Sequence, residues 1–171
     1  QHIQNMIKIK KMITIALLSV SVLPAMMSCN SDDEAYTPTY EEVNYVSLNG
    51  TWRLSEWKGQ TVGTTATDPY VYITFNRKEH TFEMYENTGS MYSHRTTGTF
   101  EVAEEKDQSV LRGEYDYSGV EWGDYIVTEM TSESMKWTRK GQPGDVSVYV
   151  RVSGVPEDVQ AGSRSIPATA E

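Results

Sequence analysis

The stretch LNGTWRLSEW, residues 48–57, marks a change of texture in the chain. From Leu48 onward the apolar residues alternate instead of recurring every three or four positions, and turn-forming residues return at short intervals. Trp52 and Leu54 fall on one side of an extended segment, because successive side chains of a strand point to opposite faces. The pattern repeats downstream. YVYITFN (70–76) sets Val71, Ile73 and Phe75 against Tyr72 and Thr74, and HTFEMYEN (80–87) sets Phe82 and Met84 against Glu83 and Tyr85. TGTFEVA (97–103) aligns Phe100 with Val102, and SVLRGEYDY (109–117) places Leu111 opposite Arg112 and Glu114. WGDYIVTEM (122–130) follows, then SMKWTRK (134–140) with Met135 and Trp137. Last comes DVSVYVRV (145–152), with Val146, Val148, Val150 and Val152 on one side.

These are eight candidate strands, and the breaks at 76–78, 87–90, 104–107, 117–119, 131–134 and 141–144 carry turn chemistry. No segment here keeps a helical period. Short links between consecutive strands favour antiparallel neighbours and an up-and-down order. A flat sheet of eight would leave two exposed edges, which closure into a barrel removes. The predicted fold is therefore all-β, a single eight-stranded antiparallel up-and-down barrel over residues 48–152. A flexible C-terminal tail, 153–171, follows it; in the alternative, Val155 and Val159 anchor part of that tail across the barrel mouth.

The N-terminal region has different chemistry. MIKIKKMITIALLSVSVLPAMMSC (6–29) begins with Lys8, Lys10 and Lys11 and continues with an apolar run of roughly 14 residues, short of the ~20 that a bilayer-crossing helix needs. It reads as a cleaved export signal over 1–28, with Met6 as its natural start and 1–5 as an upstream extension. Cys29, the one cysteine of the chain, closes the run. A lone thiol in an exported chain has no disulfide partner. The arrangement resembles the lipobox of bacterial lipoproteins, with Ser28 as the small residue before the cysteine and Met26 and Met27 departing from the usual pattern. That resemblance implies a lipid on Cys29, which would become the mature N-terminus and tie the protein to a membrane. Residues 29–47, acidic and containing Pro38, read as a flexible tether. Asp32, Asp33 and Glu34 resemble the acidic signal that sends lipoproteins of the Bacteroides group to the outer face of the outer membrane; the plainer reading is a solvated linker.

Composition bounds the partners. The 171 residues carry a formal charge of −9, and without the export segment 12 basic residues face 24 acidic ones. Such a body repels phosphate backbones, so nucleic acid is set aside. His80 and His94, the histidines beyond the export segment, have no thiol or metal-ligand cluster to join, and no Gly-x-Ser-x-Gly turn occurs. Glu104 and Glu105 beside Lys106 and Asp107 read as a solvated turn rather than a catalytic carboxylate pair. The sequon NGT at 49–51 reads as the turn before the first strand. No cofactor, metal or catalytic residue is expected, and the chain is read as a non-enzyme.

Gly50 and Trp52 resemble the Gly-x-Trp opener of lipocalins and lipocalin-like lipoproteins. The resemblance implies that Trp52 packs at the closed end of the barrel and that Arg151, near the end of the last strand, lies against its indole face. Eight strands enclose an interior that side chains fill or that holds one small ligand, and in a cup the lining would come from the inward positions Trp52, Phe75, Phe82, Met84, Phe100, Leu111, Met135 and Trp137. The same alternating residues equally describe a solid core. Two functions follow from these two interiors. One is a membrane-anchored carrier or sensor of a small apolar or amphipathic ligand, marked by an apolar cavity of ~300 Å³ or more. The other is an interaction or structural subunit that presents a filled barrel to an envelope partner.

Overall fold

The computed structural model of the chain describes residues 38–63, 68–89, 92–117 and 121–165. Cys29, the export segment and the acid run at 32–34 lie outside them.

The barrel strands are β1 (Gly50–Trp57), β3 (Val71–Asn76), β4 (Thr81–Glu86), β5 (His94–Glu105), β6 (Gln108–Tyr115), β7 (Glu121–Thr128), β8 (Ser134–Arg139) and β9 (Val146–Val152). Each pairs antiparallel with the next along the chain, and β9 returns to β1 through the register Trp52 to Arg151 and Leu54 to Tyr149. The eight strands thus close in up-and-down order. Two-residue additions decorate the ring: β2 (Gln60–Thr61) folds back on β1, and β10 (Arg164–Ser165) joins β5. The β1–β2 turn uses Lys58 and Gly59 at φ of 50° and 77°, and the β5–β6 turn uses Lys106 and Asp107 at 49° and 64°. Positive φ at both central residues gives a two-residue hairpin turn whose twist matches that of the flanking strands.

One end is plugged. Asn44 caps the four-residue helix α1 (Tyr45–Leu48) by accepting from the amides of Val46 and Ser47. Leu48 and Trp52 are fully buried beneath it, and Trp52 Nε1 donates to the Leu48 carbonyl at 2.7 Å. Arg151 covers the indole, its guanidinium carbon 4.0 Å from the ring centroid. Its three nitrogens donate to the carbonyls of Ser47, Asn49 and Ser132 at 2.8, 2.6 and 2.6 Å. One side chain therefore ties together the end of α1, the start of β1 and the β7–β8 turn.

Two expectations are corrected. The tether does not run loose to residue 47: the Glu41 amide donates to the Met130 carbonyl, Val43 is buried, and Tyr45 stacks on His80 at 4.0 Å between centroids. Apolar Val43 and Leu48 bury against the barrel base, which offsets the entropy of ordering this segment. Nor is residue 153 the start of a wholly flexible tail. Pro156 precedes helix α2 (Glu157–Ala161), and β10 then pairs in parallel with His94 and Arg95. There β5 reaches past the end of β6, whose pairing with β5 stops at Gly98, and the tail fills the open edge.

Candidate functional site

The far end of the barrel is hollow. A cavity of about 260 Å³ lies between the ends of β1, β4, β6 and β8 and the starts of β3, β7 and β9. Its walls are mostly apolar and aromatic: Leu54, Val71, Ile73, Met84, Trp122, Trp137 and Tyr149, with Tyr115 and Tyr125 completing the ring. Trp57, nearly half exposed, stands at the mouth and donates from Nε1 to Asp145. Glu86, Thr88 and Ser147 supply polar lining.

The aromatic side chains pack as a connected set. Trp122 and Trp137 stack with centroids 5.8 Å apart and planes 19° from parallel. Tyr149 lies 4.4 Å and Tyr125 5.4 Å from Trp137, while Phe82 meets Trp122 edge-on at 4.6 Å from below.

Trp122 reaches this wall through a backbone irregularity. Between β6 and β7, Arg112 pairs with Asp124 and Glu114 with Glu121, so β7 holds one more residue than its partner. Gly123 takes up the excess at φ 91°, which re-aims Trp122 into the barrel over Gly113. A Cβ on Gly113 would collide with the Trp122 ring, 2.5 Å from Cζ2. The indole fills the space that a side chain at 113 would take.

Trp122 Nε1 is buried and has no acceptor among the described residues, whereas Trp52, Trp57 and Trp137 all donate, Trp137 to Met135 Sδ at 3.2 Å. Burial raises the phenol of Tyr149 above its ordinary value of 10.0, and the charge of Glu86 adds to it. Tyr115 and Tyr125 are also raised, chiefly by burial. A raised phenol contributes stability that is complete below about pH 10 and is lost as pH rises through the folded-state value. An ultraviolet alkaline titration should therefore show part of the 11 tyrosines ionising only together with unfolding. A single titration of all of them near pH 10 would mean that these phenols are wet.

Of the eight residues expected to line a cup, Met84 and Trp137 do so. Trp52, Phe75, Phe82, Phe100, Leu111 and Met135 are buried in the solid lower half instead. Phe75 and Phe100 meet there at 4.7 Å. Alternation tells inside from outside but not height along the barrel, and these six sit on the plugged side. The side that the valines of β9 share is the outer one. Tyr149 is buried and Arg151 covers Trp52, so Val146, Val148, Val150 and Val152 take the opposite, outer face, where all four are half-buried. Tyr85, expected on an outer face, is covered all the same, and its hydroxyl donates to Glu83 at 3.0 Å.

Sequence reasoning passed over Tyr115, Trp122, Tyr125 and Tyr149. Tyr149 alternates with the valines and loses to them on hydropathy, and Trp122 is out of phase until the bulge is counted. The Gly123 that follows Trp122 was the available signal, since an isolated glycine inside a strand pattern marks a bulge.

No curated protein and no solved structure matches the chain. The family model described as a lipocalin-like domain matches residues 48–137, just over half of the chain and the span from the end of α1 into β8. β9, which lies beyond that match, completes the ring and carries the arginine over Trp52. With a closed eight-stranded barrel, a Gly-x-Trp opener at its plugged end and this match, the chain belongs to the lipocalin-like domain family.

Proposed function

We propose that this protein is a lipid-anchored, non-enzymatic binding protein of the outer membrane that takes one small amphipathic molecule into the open end of its barrel. A lipocalin-like barrel fits ligand binding in general. The observation that carries the finer reading is the cavity itself, walled by Tyr115, Trp122, Tyr125, Trp137 and Tyr149. The rings supply apolar surface for the body of such a molecule, and Glu86, Thr88 and Ser147 supply polar partners for its head. At about 260 Å³ the space admits a molecule of roughly nine non-hydrogen atoms, judged against ~30 Å³ for a water. Anchoring rests on Cys29 and the export segment before it, and display on the outer face on the acids at 32–34.

A second reading has its own support. The lower half of the barrel is solid and the cavity falls below the ~300 Å³ usual for ligand sites, which favours an envelope-complex subunit using its loops. Native mass spectrometry of the protein released gently from its own membrane separates the two. The binding reading expects an acyl adduct on Cys29 together with a co-purifying small molecule. An acylated but otherwise bare chain in repeated preparations would favour the subunit, and Cys29→Ser remaining on the membrane would refute the anchor.

A further inference from the structure

Among the described residues, Glu86 is the one charged residue lining the cavity, and no base lines it. Its carboxylate accepts from the Thr88 hydroxyl and makes no ion pair among the described residues. His94 stands opposite Glu86 in the β4–β5 register and Arg139 opposite Tyr125 in the β7–β8 register, yet neither lines the cavity. Glu86 shares the inward side of β4 with Phe82 and Met84 and lines the cavity together with Tyr115 and Tyr149. Around it, Tyr115, Trp122, Tyr125, Trp137 and Tyr149 line the wall, and the negative face of an aromatic quadrupole attracts a cation that reaches it.

A carboxylate and an aromatic wall replace part of the water that an ammonium group loses on entering such a site, whereas Glu86 repels an anion. The surplus of acidic residues over the whole chain raises the local concentration of cations further. We infer that the cavity selects small organic cations, with the ammonium toward Glu86 at the mouth and the apolar body against Trp122 and Trp137. The inference rests on the reading of the cavity as a ligand site and adds the charge of what fills it.

Three probes of matched shape test it on the full chain: 2-phenylethylammonium, 2-phenylethanol and 3-phenylpropionate, each titrated against tryptophan fluorescence and checked by calorimetry. The ammonium should bind about tenfold tighter than the alcohol, with the carboxylate weakest. Glu86→Gln should bring the ammonium down to the affinity of the alcohol. Should that variant fail to fold, the ranking on the unaltered protein still decides, together with the weakening of ammonium binding by added salt. Equal binding of all three, or a preference for the carboxylate, overturns the cation inference and leaves the ligand site standing. Binding by none of the three overturns both.

Discussion

Trp52→Ala lowers the stability of the domain by about 3–5 kcal/mol in urea unfolding. Trp52 is wholly buried, sits in register with Ile73 on one side and Arg151 on the other, and is hydrogen-bonded to the Leu48 carbonyl. Truncation opens a cavity at the barrel base, orphans that carbonyl and leaves the Arg151 guanidinium without the ring beneath it. Burial already lowers the Arg151 pKa, because the charge is partly desolvated, so the three carbonyls and the indole together make its position tolerable. The loss is a large share of the total stability of an ordinary domain, about 5–15 kcal/mol. A change below about 1 kcal/mol would mean that the plug is not what holds the closed end.

Gly98→Ala is expected to cost about 3 kcal/mol, the upper part of the range for overpacked cores. Gly98 sits inside the barrel in register with Phe82 and Tyr115. A Cβ there would overlap the Glu114 carbonyl oxygen and lie 2.7 Å from Phe82 Cε1. The ring can shift a little, but the carbonyl belongs to the β6 backbone beside β5 and can move only if the strands part. Gly113→Ala is the informative contrast, since the atoms it meets belong to the Trp122 ring, which borders open space. Thermal unfolding should rank Gly98→Ala as the more damaging; the reverse order would show that β5 and β6 yield more readily than the indole.

Strand number, order and closure were legible from alternation and turn chemistry, because short antiparallel links admit few other arrangements. Trp52 and Arg151 were legible too, through the family resemblance rather than through their spacing of nearly a hundred residues. The site was legible only in part. Period-two reasoning sorts inward from outward side chains, yet it is blind to which inward residues meet the plug and which meet the opening. Met84 and Phe82 illustrate this: both point inward two residues apart on β4, and Met84 lines the cavity while Phe82 packs beneath Trp122. A one-residue bulge inverts the reading altogether, as at Trp122 and Gly123. Tyr149 was hidden by its valine neighbours, which have higher β-propensity but face outward. The ordered edges of tether and tail were missed because helices of four or five residues and two-residue strands leave almost no periodic signal.

The indole N–H resonances of the four tryptophans test the central claim most directly, since each has a different setting in the fold. Trp52 donates to a backbone carbonyl at the plugged end, Trp57 to Asp145 at the mouth, Trp137 to a thioether, and Trp122 to nothing among the described residues. In a titration with 2-phenylethylammonium followed by nitrogen–proton correlation spectra, the Trp122 resonance should move furthest, Trp137 should follow, and Trp52 should stay in place. A spectrum in which Trp52 moves with the others, or in which Trp122 does not move at saturating probe, would contradict a barrel that is solid below and receptive above.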